Sequence, residues 1–158
     1  PYYNIIFLEE DQPLGTAVSL QLFKGKKTKP FFVTNCDIII KSEYLNIYNY
    51  HLNGEYDLTL VASAKEYEIP YGTCILNSEG SLSHIDEKPH FDFLINTGLY
   101  ILNQDALKFI PKNKKYHITD LIRDLIKNKR KVGVFPINDD LWLDVGQWAE
   151  YKDAVKNF

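Results

Sequence analysis

Residues 31–37 read Phe-Phe-Val-Thr-Asn-Cys-Asp, an apolar run of strand length that ends on the carboxylate of Asp37. A second apolar stretch near the far end of the chain, Trp142-Leu-Asp-Val-Gly146, carries Asp144 in the same way. In parallel α/β sheets, ligands bind outside the carboxyl ends of the strands. Two acids delivered there from distant strands can share one hard cation such as Mg²⁺. The two stretches therefore predict a divalent-metal site that handles phosphates.

Apolar runs of strand length recur along the whole chain. They are nearly continuous rather than alternating, as expected for strands covered on both faces. Helical patterns separate several of these runs, which is typical of βαβ units. The predicted strands cover residues 5–8, 31–33, 58–62, 94–102 and 132–137, and the predicted helices cover residues 14–23, 43–52, 104–110, 120–128 and 147–155. This pattern predicts an α/β fold with a Rossmann-like, mainly parallel sheet flanked by helices.

The middle of the chain departs from this alternation. Residues 71–76 and 81–86 are extended segments on either side of Asn77-Ser-Glu-Gly80, which predicts an antiparallel hairpin inserted into the fold. Glu87-Lys88-Pro89 then forms a corner before the next strand. Further on, Thr119 is the predicted cap of the helix over residues 120–128, which has an acid in its first turn.

Length and composition indicate one ordinary globular domain over residues 1–158. The net charge of -3 argues against a nucleic-acid partner, because such binders are usually basic. No apolar run approaches the length of a membrane span and no signal peptide is evident, so we expect a cytoplasmic protein without a membrane partner. Cys36 and Cys74 are expected to be reduced thiols. The chain opens on Pro1 and contains no methionine, which we interpret as a piece of a longer protein.

Each candidate residue also has a purely structural explanation. A single acid after a strand is usually a turn or helix-cap residue, and this applies to Asp37 and Asp144 alike. Asp139 and Asp140 are interpreted as a solvated turn. The case for a metal site therefore depends on whether folding brings the first two acids together.

Two tripeptides in the middle of the chain suit a sugar phosphate. Lys88 can balance a phosphate charge, and Glu87 can accept hydrogen bonds from sugar hydroxyls. The alternative is an exposed strand end closed by proline. Asn96-Thr97-Gly98 offers amide and hydroxyl groups, and its alternative is a polar kink that the glycine eases.

The segment Pro13-Leu-Gly-Thr-Ala17 opens a predicted helix, and Gly15 would let a flat ligand approach closely. Glu9 and Glu10 precede it. A carboxylate only accepts hydrogen bonds, and guanine presents adjacent N1–H and N2–H₂ donors, so an acid in a base pocket favours guanine. The alternative is that both acids stabilise the N-terminus of the following helix.

Taken in order, these segments resemble the sugar-phosphate nucleotidyltransferases, the sugar-nucleotide pyrophosphorylase family. The resemblance runs from about Ile5 to the C-terminus, and the order of the motifs makes it specific. The chain is most similar to bacterial guanylyltransferases that act on mannose-1-phosphate or an amino-sugar-1-phosphate. In this resemblance residues 13–17 form the nucleoside-binding segment, residues 35–37 and 142–146 the two metal motifs, and residues 71–72, 87–89 and 96–98 the sugar-phosphate motifs.

The resemblance implies a nucleotide-diphospho-sugar transferase fold and a reaction in which a nucleoside triphosphate, GTP by preference, and a sugar-1-phosphate give a nucleotide sugar and pyrophosphate. It implies Mg²⁺ as the cofactor, held by Asp37 and Asp144. The implied catalytic residues are Asp37, Lys88 and Asp144, and the implied substrate-binding residues are Glu10, Gly15, Gly72, Glu87, Lys88, Asn96 and Thr97.

Two departures from the family pattern qualify this expectation. Cys36 stands where most relatives have glycine. The family's first strand and its Gly-rich triphosphate loop would lie upstream of Pro1, so we expect the fragment alone to be inactive or nearly so. The alternatives are a non-catalytic sugar-nucleotide-binding or regulatory subunit, a thymidylyl- or uridylyltransferase on glucose-1-phosphate, and a metal-binding signalling domain. Assembly into a homo-oligomer is left open.

Overall fold

Four strands form the central sheet of the computed structural model, which describes residues 4–10, 12–23 and 29–146. They are β1 (Phe31–Thr34), β3 (Leu58–Glu68), β6 (His90–Leu102) and β7 (Val132–Asn138), in the order β1-β6-β3-β7. The sheet is mostly parallel, as the sequence predicts. Strand β6 is an exception, because it runs antiparallel to β1 with Phe31 opposite Leu102.

Two short ribbons complete the β structure of the residues that the structure describes. Strands β4 (Thr73–Leu76) and β5 (Leu82–Asp86) form the predicted antiparallel hairpin. Its turn is held by Asn77, whose side-chain oxygen accepts the N–H groups of Glu79 and Ser81. The second ribbon pairs β2 (Ile38–Ile40) with β8 (Trp142–Asp144), a pairing that the sequence did not predict.

The predicted strand over residues 5–8 is wrong. These residues have no ladder partner in the described part of the chain. All four of their apolar side chains are exposed, with Phe7 at 88%. Apolar residues with strand propensity form a strand only when a neighbouring strand takes up their backbone hydrogen bonds.

The helices differ from their predictions mainly at the ends. Within the described residues the α-helices are α1 (Tyr44–Asn53) and α2 (Ile118–Lys127), and 3₁₀ helices cover Val18–Phe23, Gln104–Phe109 and Asp139–Leu141. Thr119 is not the cap of α2, because the helix starts earlier and the Asp120 carboxylate accepts the N–H of His117. This bond is the main reason why the pKa of Asp120 is lowered. The helix predicted over residues 147–155 lies outside the described residues.

The helix predicted over residues 14–23 is confirmed only from Val18 onwards, and as a 3₁₀ helix. Its first part is instead tied to the segment before α2. The N–H of Tyr116 donates to the carbonyl of Leu14 at 2.8 Å, and the N–H of Ala17 donates to the carbonyl of Tyr116 at 3.3 Å. The first of these bonds uses the Leu14 carbonyl, which a regular helix would pair internally.

Packing divides the chain into two compact units. The first unit contains residues 1–36, 43–61 and 98–135, and the second contains residues 37–42, 62–97 and 136–158. Strands β3, β6 and β7 contribute residues to both, so the single domain expected from the sequence stays a prediction. None of the helices in the described ranges is long and apolar enough to cross a membrane. The core of the first unit contains Ala17, Leu20, Leu58, Tyr100, Leu102, Ala106, Leu107, Ile110, Tyr116, Ile118, Leu121 and Leu125.

Within the first unit, a buried histidine joins α1 to β3 and to the residue that follows β6. His51 is 1% exposed, with Nδ1 2.8 Å from Thr59 Oγ1 and Nε2 3.3 Å from Asn103 Oδ1. The Asn103 amide nitrogen donates to the carbonyl of Tyr56, so its oxygen faces the ring and accepts a hydrogen bond. His51 therefore carries its proton on Nε2, and Nδ1 accepts from the threonine hydroxyl. Burial lowers the pKa of His51, which favours this neutral form.

We expect His51 to make the folded state acid-sensitive. Because its pKa is lowered by folding, the unfolded chain binds more protons, and stability falls as the pH drops below the unfolded value of about 6.5. Urea unfolding at about pH 7.5 and about pH 5.5 should show a larger loss in the wild type than in a His51→Gln variant. His84→Gln, at an exposed ring, is the matched control. Equal losses in wild type and His51→Gln would contradict the assignment.

Candidate functional site

The ribbon of β2 and β8 brings Asp37 and Asp144 together in the second unit. Ile38 lies opposite Asp144, and the N–H of Val145 donates to the carbonyl of Asp37 at 2.9 Å. The N–H of Gly146 donates to Asp144 Oδ1 at 3.0 Å. A Cβ added to Gly146 would lie 3.0 Å from Asp37 Oδ2 and 3.1 Å from Asp144 Oδ1. Both carboxylates therefore border the same small space, and glycine keeps that space open.

The donor set of this pair fits Mg²⁺. Asp37 is exposed and Asp144 is half-buried, so water and substrate oxygens can reach both. The described residues contain no group of three or more side chains able to enclose a metal. Mg²⁺ is usually held in this open way, by one or two carboxylates together with waters and substrate phosphates. The identity of the ion stays a prediction.

The hairpin places two predicted sugar-binding residues side by side. Thr73 pairs with Asp86, which sets Gly72 next to Glu87. A Cβ on Gly72 would lie 3.0 Å from Glu87 Oε2. Any larger residue at position 72 would therefore push the glutamate side chain away from its present position.

Lys88 has an unusual backbone conformation. Its φ is +48°, in the left-handed region that residues other than glycine seldom adopt. It lies at the corner between β5 and β6, where the next residue, Pro89, accepts a hydrogen bond from the N–H of Ile69 at 3.1 Å. Such conformations cost about 1–3 kcal/mol and cluster at functional sites. Glu55, Asn113 and Lys129 share this conformation, so it does not by itself distinguish Lys88 as a site residue.

The second predicted tripeptide, Asn96-Thr97-Gly98, lies on β6, and its residues differ in exposure. Asn96 is exposed, whereas Thr97 is 2% exposed. Gly98 has a φ of +89°, in keeping with the alternative of a kink that the glycine eases, and it belongs to the first unit. Its carbonyl accepts the N–H of Asn35 at 3.0 Å, and an added Cβ would lie 2.7 Å from the Asn35 amide nitrogen. Asn35 belongs to a sequence motif, but the motif does not predict this contact with Gly98.

The predicted nucleoside-binding residues lie in the first unit. Gly15 has a φ of +108°, and an added Cβ would lie 2.6 Å from the carbonyl oxygen of Tyr116. The protein's own backbone therefore requires this glycine, so its contact with a base stays a prediction. Glu10 is exposed and lines an open pocket of about 460 Å³. The pocket is lined by Glu9, Glu10, Gln12, Leu14, Val18, Ser19, Gln21, Leu22 and Asn113.

Sequence reasoning missed a polar cluster in the second unit, which we name the Lys65 cluster: Ser63, Lys65, Asp139 and Trp142. Asp139 is not only a solvated turn residue, because its Oδ1 accepts the Ser63 hydroxyl at 3.1 Å and lies 3.6 Å from Lys65 Nζ. The same Nζ lies 5.9 Å from the centroid of the Trp142 ring. The alternation of Ser63 and Lys65 on β3 was the available signal, since residues two apart share a face.

Comparison with known proteins decides the family. Residues 3–158 match the family model described as Nucleotidyl transferase. The chain belongs to the nucleotidyl transferase family. Mannose-1-phosphate guanyltransferase 2 of Candida glabrata is 32% identical over 156 residues, which cover 94% of this chain and 42% of that protein. Mannose-1-phosphate guanylyltransferase catalytic subunit beta of Drosophila melanogaster is 30% identical over 157 residues, which cover 94% of this chain and 41% of that protein.

A solved structure also resembles this nucleotidyl transferase chain in fold. HddC from Yersinia pseudotuberculosis matches with a TM-score of 0.65 and 24% identity, over 94% of this chain and 64% of that one. The likeness confirms the predicted fold. The chain spans about two-fifths of the length of the curated relatives above, at 42% and 41%.

Proposed function

We propose that the intact protein transfers a nucleotidyl group from a nucleoside triphosphate, GTP by preference, to a sugar-1-phosphate such as mannose-1-phosphate or an amino-sugar-1-phosphate. The observation that carries this proposal is the convergence of Asp37 and Asp144 around Gly146 in a member of this family. The names of the relatives, mannose-1-phosphate guanyltransferases, support the choice of sugar and base.

The proposed reaction needs no side-chain base. A phosphate oxygen of the sugar-1-phosphate attacks the α-phosphorus of the triphosphate, and this new P–O bond replaces the bond to the bridging oxygen. The electron pair of the broken bond leaves with pyrophosphate. Because the nucleophile is already an anion, catalysis depends on orientation and on offsetting crowded negative charge.

Residues of the second unit would supply this orientation. Asp37 and Asp144 would hold Mg²⁺, which when bound offsets phosphate charge. Lys88 would pair with the sugar phosphate, and Glu87 would accept hydrogen bonds from sugar hydroxyls. Because Gly72 has no side chain, the Glu87 carboxylate can keep its position beside it. Asn96 is proposed as a further sugar contact, whereas Thr97, at 2% exposed, is too buried to touch a sugar in this structure.

The preference for guanine rests on the first unit. Glu10 lines a pocket, and its carboxylate can only accept hydrogen bonds. The Watson–Crick edge of guanine presents two adjacent donor groups, so the acid would favour GTP over UTP or dTTP. Gly15 is proposed to face the base. HddC complexed with GMP-PN, a protein of the same fold, matches this chain with a TM-score of 0.64.

A pyrophosphate-release assay on the intact protein tests the proposal. GTP, UTP and dTTP are each combined with the 1-phosphates of mannose, glucose and an amino sugar. We expect the highest kcat/KM for GTP with mannose-1-phosphate or the amino-sugar-1-phosphate. Faster release with UTP or dTTP would reject guanine specificity. No release from any pair, together with tight binding of a nucleotide sugar, would instead support the non-catalytic regulatory subunit.

A further inference from the structure

We propose that Lys65 is a second cationic contact for the phosphate of the bound sugar, held in position by Asp139 and Trp142. The inference rests on the proposed function and adds a binding residue that no motif in the sequence marks. All four members of the Lys65 cluster belong to the second unit, as do Asp37 and Asp144.

Two neighbours, the Asp139 carboxylate and the Trp142 ring, restrain the position of the Lys65 amine. Asp139 Oδ1 lies 3.6 Å from Nζ, and this oxygen is itself fixed by the hydroxyl of the buried Ser63 at 3.1 Å. The Trp142 ring lies 5.9 Å from Nζ, within the range of a cation–π contact. A flexible lysine is thereby restrained to a small region next to β8.

Strand β8 connects this region to the carboxylate pair. Trp142 and Asp144 are two residues apart on β8, so their side chains lie on the same face of the strand. Two strand residues span roughly 6.6 Å along the chain. The ring that Lys65 contacts is therefore the direct same-face neighbour of Asp144. The proposal requires that a phosphate oxygen drawn towards Asp37 and Asp144 by a shared cation lies near this face of β8.

A purely stabilising role explains the arrangement poorly. The distance of 3.6 Å is longer than a hydrogen bond, and the side chains of Lys65 and Asp139 are 38% and 49% exposed. Ion pairs this exposed contribute about 0–1 kcal/mol to stability. An ammonium carries three N–H donors, so a carboxylate on one side leaves it able to bind a second anion. Asp139 acts here as a positioning residue.

The experiment compares variants of the intact protein in the pyrophosphate-release assay. Lys65→Met is expected to raise the KM for the sugar-1-phosphate about tenfold or more, because a charge-assisted hydrogen bond is lost. The KM for the nucleoside triphosphate should stay within about twofold. Asp139→Asn leaves the lysine but loosens it, so we expect a smaller rise in the same KM. Lys65→Arg should recover part of the loss, because it keeps the positive charge.

Lys131→Met is the matched control, since Lys131 lies 5.3 Å from the Tyr56 ring in the first unit and no role in binding is assigned to it. It should leave every KM unchanged. Calorimetric binding of GDP-mannose gives a readout without turnover, and Lys65→Met should weaken it by a similar factor.

The outcomes separate this inference from the proposed function. A wild type that neither releases pyrophosphate nor binds any nucleotide sugar overturns both. An active wild type with an unchanged sugar-1-phosphate KM in Lys65→Met overturns only the role of Lys65. A lower melting temperature with an unchanged KM in that variant would show a structural lysine and would likewise overturn it.

Discussion

Replacing Asp37 or Asp144 by asparagine in the intact protein is expected to lower kcat by about three orders of magnitude, while the fold stays in place. Asparagine has nearly the same shape but is neutral, so the pair would lose half of its charge for a cation. Asp37 is exposed, so the loss of its charge costs the fold little. Asparagine at 144 keeps a side-chain oxygen that can accept the Gly146 N–H.

The measurement is pyrophosphate release at several Mg²⁺ concentrations, with thermal unfolding as the check on folding. Asp140→Asn is the matched control, because it makes the same chemical change at an exposed position of the same unit. The control should keep wild-type turnover. Near-normal turnover in either Asp37→Asn or Asp144→Asn would reject the metal assignment, whatever the family.

The sequence predicted those parts of the fold that have local signals. The hairpin of β4 and β5 was predicted because Asn77-Ser-Glu-Gly80 carries turn residues between two extended segments. The strand before Asp37 was predicted from a continuous apolar run. The convergence of Asp37 and Asp144 could be proposed from their positions at strand ends, and the structure brings the two together.

The remaining features depend on long-range pairing. Strands β2 and β8 have three residues each, too few for a periodic pattern, and they exist because they pair with one another. Residues 5–8 have the composition of a strand but no partner among the described residues. Asp139 was interpreted as solvated because its partners, Ser63 and Lys65, are more than seventy positions away in the chain. No local signal reports such contacts.

The sequence and the structure give different reasons why position 15 is a glycine. The sequence suggested a close approach of a ligand, whereas the structure shows the carbonyl of Tyr116 2.6 Å from where a Cβ would lie. The backbone of Tyr116 is fixed by its bonds to Leu14 and Ala17, so it cannot easily move away. Glycine is therefore needed here for folding, with or without a nucleotide.

Gly15→Ala is accordingly expected to lower the free energy of unfolding of this chain by about 2–4 kcal/mol, measured by urea denaturation. Two costs are combined in that value, the φ of +108° and the clash with Tyr116. Gly80→Ala separates them, because Gly80 also has a positive φ, +86°, but nothing lies within 4 Å of its added Cβ. The control should cost only about 1 kcal/mol, from backbone strain alone. Equal losses in the two variants would show that the Tyr116 contact does not explain the glycine. Binding of a nucleoside would then be the better explanation for Gly15.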